Sequence, residues 1–147
     1  MSRIKFRLQR LLDVRTRQAD ACKAKLAGVA QQLAAAEDVV RGLEEFGARL
    51  SCDWTIAANR GMSAWHAADF ERARSNQVQS VTAAQHEAEK IRKEVIAARS
   101  ELERALIQVK TLEKARENSE HRAEVEEQRK EQLVLDEFSI LLEARTE

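Results

Sequence analysis

The side chains able to do chemistry are few and scattered. His66, His86 and His121 stand far apart, and neither an HExxH pattern nor a Cys/His cluster accompanies them. Spacing therefore supplies no metal ligand set. Cys22 and Cys52 are thirty positions apart with no CxxC motif, which reads as two reduced thiols. Cys22 falls on an apolar helix seam, where a small buried residue is expected rather than a nucleophile, because no activating histidine neighbours it. No GxxxxGK[ST] phosphate-binding loop is present. The carboxylates are numerous but belong to helix surfaces, where water, Lys and Arg account for them. We expect no catalytic constellation, no metal and no cofactor.

What remains is recognition chemistry at two places. Trp54 and Trp65 flank a short break, and Phe70 follows. These rings suit either an apolar clasp closing the turn or a knob for a partner. Near the C-terminus the sequence turns apolar again, with Leu133, Val134, Leu135, Phe138, Ile140, Leu141 and Leu142 around the acidic pair Asp136 and Glu137.

The elements that hold these residues follow from composition. There is no proline in 147 residues, glycine is limited to four, aromatics are 4% and charged residues 34%. Sandwiches, barrels and βαβ folds need turn residues this chain lacks. Long helices read this way. Alternating spacings of four and three run through Leu8, Leu12, Arg15, Ala19, Cys22, Leu26, Val29, Leu33, Ala36, Val40, Leu43, Gly47, Leu50 and Trp54. A second such seam runs through Phe70, Arg74, Gln77, Val81, Ala84, Ala88, Ile91, Val95, Ala98, Leu102, Ala105, Val109 and Leu112. Both are heptad-like. Between them Asn59 and Gly61 can end a helix, and Ser63 can cap the next.

Folding the chain near residue 60 pairs positions whose numbers sum to about 120. Leu43 then faces Gln77, Val29 faces Ile91 and Leu8 faces Leu112, every pair lying on both seams. The expected fold is all-α: an antiparallel two-helix coiled-coil hairpin forming a single domain over 1–147. Helix 1 covers about 4–56, the loop about 57–63 and helix 2 about 64–143. The regular apolar seam stops at Leu112, and 113–132 holds twelve charged residues in twenty. Helix 2 therefore overhangs by about thirty residues, roughly 45 Å at the rise of an α-helix. Its apolar tip reads as a binding element or an oligomer contact.

Net charge is zero, with 25 basic and 25 acidic residues, so nucleic-acid binding is not indicated. The ends differ. Residues 1–20 carry six basic and two acidic side chains, including Arg3 and Lys5, and residues 136–147 carry four acidic and one basic. No signal peptide and no membrane span of about 18 apolar residues is legible, which suggests a cytoplasmic protein.

The stretch Arg129-Lys130-Glu131-Gln132-Leu133-Val134-Leu135-Asp136-Glu137-Phe138 resembles the end of FliJ-family proteins. The opening Phe6-Arg7-Leu8-Gln9-Arg10-Leu11-Leu12-Asp13-Val14-Arg15 is similar to that family's Phe-x-Leu-x-x-Leu-Leu-x-x-Arg signature. Injectisome YscO proteins look similar too. The resemblance implies a small non-enzymatic component of bacterial flagellar type III protein export, shaped like the central stalk of rotary ATPases. It implies three partners: the hexameric export ATPase FliI, the export-gate protein FlhA, and export chaperones that the protein escorts. It also implies peripheral association with the inner-membrane export apparatus. The ATPase contact would fall on Leu133, Leu135, Asp136, Glu137, Phe138, Ile140 and Leu142. Gate binding in the family involves an aromatic and apolar stripe early in helix 2; Phe70 matches its first position and Trp65 lies nearby, whereas Arg74 departs from it. The alternatives are an injectisome stalk and a structural assembly factor whose overhangs pair between two copies. A third reading, an adaptor to lipid or nucleic acid through the basic N-terminus, is disfavoured by the zero net charge.

Overall fold

The computed structural model describes residues 7–146. Arg3, Lys5, Phe6, Glu147 and the expected start of helix 1 near residue 4 lie outside that range. Among the described residues the chain is all-α, a hairpin of two long helices, α1 (Gln9–Arg60) and α2 (Ala64–Thr146).

The turn is shorter than expected. Helix 1 continues to Arg60 rather than ending near 56, because Ala57, Ala58 and Asn59 present no obstacle to helix and no proline intervenes. Gly61 stops it, with φ at +88°, a left-handed conformation open to glycine and costly for other residues. Its amide donates to the Ala58 carbonyl at 3.4 Å. Ser63 then caps α2: the His66 backbone N–H donates to Ser63 Oγ at 3.3 Å, satisfying one of the orphan donors of a helix start. The imidazole Nδ1 of His66 lies 3.1 Å from the same hydroxyl. At the far end α2 runs past the expected 143 to Thr146.

Contacts divide the chain into two compact units, Ala21–Leu102, and Met1–Asp20 with Glu103–Glu147. In the first unit the two helical segments run antiparallel from the turn. Ala88, Val95 and Ala98 are buried, and Leu26, Val29, Leu33, Val40, Leu43, Ile91 and Leu102 are half-buried. A two-helix coil encloses each side chain on one side only, so no described side chain is fully buried. Charged pairs flank the seam: Lys25 Nζ reaches Glu101 at 3.2 Å, and Arg92 reaches Glu37 at 3.3 Å and also Glu89. The hydrogen bond to Glu37, then that to Glu89, raises the Arg92 guanidinium above its ordinary value. Exposed pairs of this kind add little to stability.

One seam position departs from the sequence pattern. Arg74 is exposed, and Ala73 is the half-buried residue in its place. A guanidinium in an apolar seam would have to lose its water, so the smaller neighbour turns inward.

In the second unit Leu12, Ala19 and Val109 form a buried cluster against Ala105, Leu106 and Leu112. Leu8, expected in the core, is 42% exposed. It precedes the first residue of α1 and contributes its carbonyl, which accepts from the Leu12 N–H at 2.9 Å. The half-buried spacing does not stop at Leu112. It continues through Arg116, Ser119 and Ala123, and every described residue from 124 to 146 is exposed. The bare part of α2 is thus about 35 Å long, shorter than the overhang read from the apolar pattern.

Candidate functional site

The bare end of α2 gathers the largest run of exposed apolar side chains. Leu133, Val134, Leu135, Phe138, Ile140, Leu141 and Leu142 are 50–65% exposed. Val134, Phe138 and Leu141 follow the i, i+4, i+7 spacing and share one face, widened by Leu135 and Leu142. Leu133 and Ile140, seven apart, lie on another. The apolar surface therefore wraps more than half of the helix circumference. A helix apolar on one stripe is matched by one neighbour; a helix apolar over most of its circumference calls for cover from several sides. Asp136 and Glu137 are exposed within this segment, and Asp136 accepts from Gln132 Nε2 at 3.1 Å.

The helix that presents this surface persists through charge. Residues 113–132 are highly charged yet helical, helped by pairs such as Glu126 with Lys130 at 3.9 Å.

The turn end separates the two tryptophans. Trp54 meets Phe70 edge to face, with ring centroids 5.3 Å apart at 77°, a favoured aromatic geometry. Trp65 is 82% exposed. The clasp is therefore Trp54 with Phe70, and Trp65 is left exposed. Phe70 is half-buried, with its ring engaged by Trp54. Beside the clasp lies an open groove of about 590 Å³ lined by Leu50, Trp54, Phe70, Arg74, Gln77 and Val81 among others.

One polar contact inside this unit escaped the sequence reading. Gln77, on the seam of α2, donates through Nε2 to the Leu43 carbonyl of α1 at 2.9 Å. Its amide lies over Gly47, at a place that a Cβ on residue 47 would occupy. The only signal for it in sequence was that both seams carry a non-apolar residue near the same level.

Cys22 is half-buried and Cys52 exposed, both as free thiols, and His66, His86 and His121 are exposed. Among the described residues no group of three or more His, Cys, Asp or Glu side chains could hold a metal ion. No helix is long and apolar enough to cross a membrane among them.

No curated protein and no solved structure matches the chain. A family model described as "Flagellar FliJ protein" matches residues 4–147, almost the whole sequence. Both the opening and closing motifs and the two-helix hairpin lie inside that match, and the chain accordingly belongs to the FliJ family, as a component of the flagellar protein-export apparatus.

Proposed function

We propose that the protein is a non-enzymatic stalk of the flagellar export ATPase, linking that hexameric, FliI-like ring to the FlhA-like export gate and to export chaperones. The observation that carries the proposal is the bare end of α2, exposed over 124–146 and apolar around most of its circumference over 133–142. A ring channel surrounds what enters it, and such a helix end suits an enclosing wall better than a flat partner. One asymmetric helix cannot meet six subunits equivalently, so its contacts can bias their states differently. In this reading Leu133, Leu135, Phe138, Ile140 and Leu142 meet the wall, and Asp136 and Glu137 meet basic groups there. Trp65 and Phe70 serve the gate. The whole chain acts as a single coiled-coil domain, cytoplasmic and peripherally attached to the inner-membrane export apparatus. The family match favours the flagellar system over an injectisome.

The test is ATP turnover by the cognate ATPase, titrated with wild-type protein and with Leu135→Ala/Phe138→Ala. Burying a Leu or Phe side chain is worth about 1.5–3 kcal/mol, so stimulation should weaken at least about tenfold. Melting of the isolated protein should stay unchanged, because neither side chain is buried in it. Full stimulation by the double variant would refute the assignment of the tip.

A second reading, self-association through the same exposed segment, rests on the same apolar exposure. Sedimentation that depends on concentration for the full chain, and not for a chain ending at Ala123, would support it.

A further inference from the structure

The apolar seam and the charges of unit Ala21–Leu102 do not by themselves select one alignment of its helices. Moving α2 by one heptad along α1 places Val29 opposite Ala98, Ala36 opposite Ile91, Leu43 opposite Ala84 and Leu33 opposite Val95. Each of those residues is already a seam residue. The ion pairs tolerate the move as well: Glu37 would come opposite Arg99, and Glu44 opposite Arg92. Lys25 alone would lose Glu101. Alanines make much of the seam, and small residues interlock less specifically than large ones.

The shift would separate the Trp54–Phe70 clasp, and inside the seam one polar contact also distinguishes the two alignments. Gln77 reaches the Leu43 carbonyl at 2.9 Å only because Gly47 has no side chain where the amide lies. After a heptad shift Gln77 would face Leu50 and Trp54, no glycine would make room for it, and a half-buried amide would lose its acceptor. A single polar residue in an apolar coil seam fixes register in this way, at some cost in stability.

We propose that Gln77 and Gly47 form a register lock: Gln77 hydrogen-bonded over Gly47 to the backbone of α1 selects one of two alignments that seam and charge pattern leave nearly equivalent. A one-heptad slip displaces α2 along α1 by about 10.5 Å, so the lock governs how far α2 is advanced. Glycine in the middle of a long helix is otherwise unfavourable, and the lock gives Gly47 a reason to be there.

The test uses the full chain with Cys22→Ala and Cys52→Ser, into which reporter cysteines are placed at 29 with 91 for the observed alignment, or at 29 with 98 for the slipped one. Oxidation in dilute protein reports each within single chains. In the background with the lock intact, 29/91 should cross-link and 29/98 should be at least tenfold less. Gln77→Leu with Gly47→Ala should raise intramolecular 29/98 cross-linking at least fivefold while helicity is retained. The milder Gln77→Ala, which adds no bulk and keeps Gly47, should move in the same direction by a smaller factor. Helical, cooperatively melting variants that still cross-link only at 29/91 would overturn the proposal. So would 29/98 cross-linking as strong as 29/91 with the lock intact.

Discussion

The turn depends on two residues with different physical tasks. Gly61 occupies a left-handed φ of +88° with open space around it, so Gly61→Ala adds strain and no clash. Ser63 supplies the cap at the start of α2. Each change, Gly61→Ala or Ser63→Ala, should cost about 1 kcal/mol, or roughly 4 °C in melting temperature for a chain of this size. Thermal melting followed by circular dichroism would show it. The two tryptophans should behave oppositely in the same assay. Trp54→Ala removes one ring of the clasp and should cost about 2 kcal/mol. Trp65→Ala, at a site 82% exposed, should stay within about 0.5 kcal/mol of wild type. Equal losses from both would mean that Trp65 packs on the hairpin after all.

At the scale of the element, α2 changes character along its length. Up to Ala123 its residues at seam spacing are at least half-buried; beyond it none of the described residues is. Those last turns bury nothing, and their helix is sustained by local hydrogen bonds and by side-chain pairs such as Glu126 with Lys130. Truncation after Ala123 should therefore leave the melting temperature within about 5 °C of the full chain, whereas truncation after Leu102, which removes the Ala105, Leu106, Val109 and Leu112 side of a buried cluster, should lower it by more than about 10 °C. Amide exchange should follow the same division, fast over 124–146 and slow around Val95 and Ala98.

The whole molecule carries as many basic as acidic residues, and its isoelectric point is about 6.9. With no net charge near neutrality, little long-range repulsion keeps copies apart while the apolar end of α2 is exposed. Self-association should be strongest near pH 7 and should weaken at pH 5.5 and pH 8.5, where each copy gains net positive or net negative charge. Light scattering across that range would show it, and removing 124–147 should flatten the profile. A profile that is steep without the tail would place the contact elsewhere on the chain.

The two helices were legible without coordinates because an apolar spacing of three and four, uninterrupted by proline, leaves the backbone one economical way to bury its seams. Gly61 and Ser63 were legible for a related reason: left-handed backbone and an N-cap each suit very few residue types. The apolar stretch 133–142 stood out because charge surrounds it in sequence. Distances across the hairpin were a different matter. Arg74 yielded its seam position to Ala73, Leu8 stayed exposed, and half-burial extended to Ala123, since each depends on what lies opposite and not on the residue's own type. Trp54 and Trp65 looked alike in sequence and parted only when Phe70 came within 5.3 Å of one of them. Gln77 and Gly47 looked like two faults in two seams; they are one contact, and only the folded chain could show it, because thirty residues separate them in sequence and the side chain of one occupies the space that the other lacks.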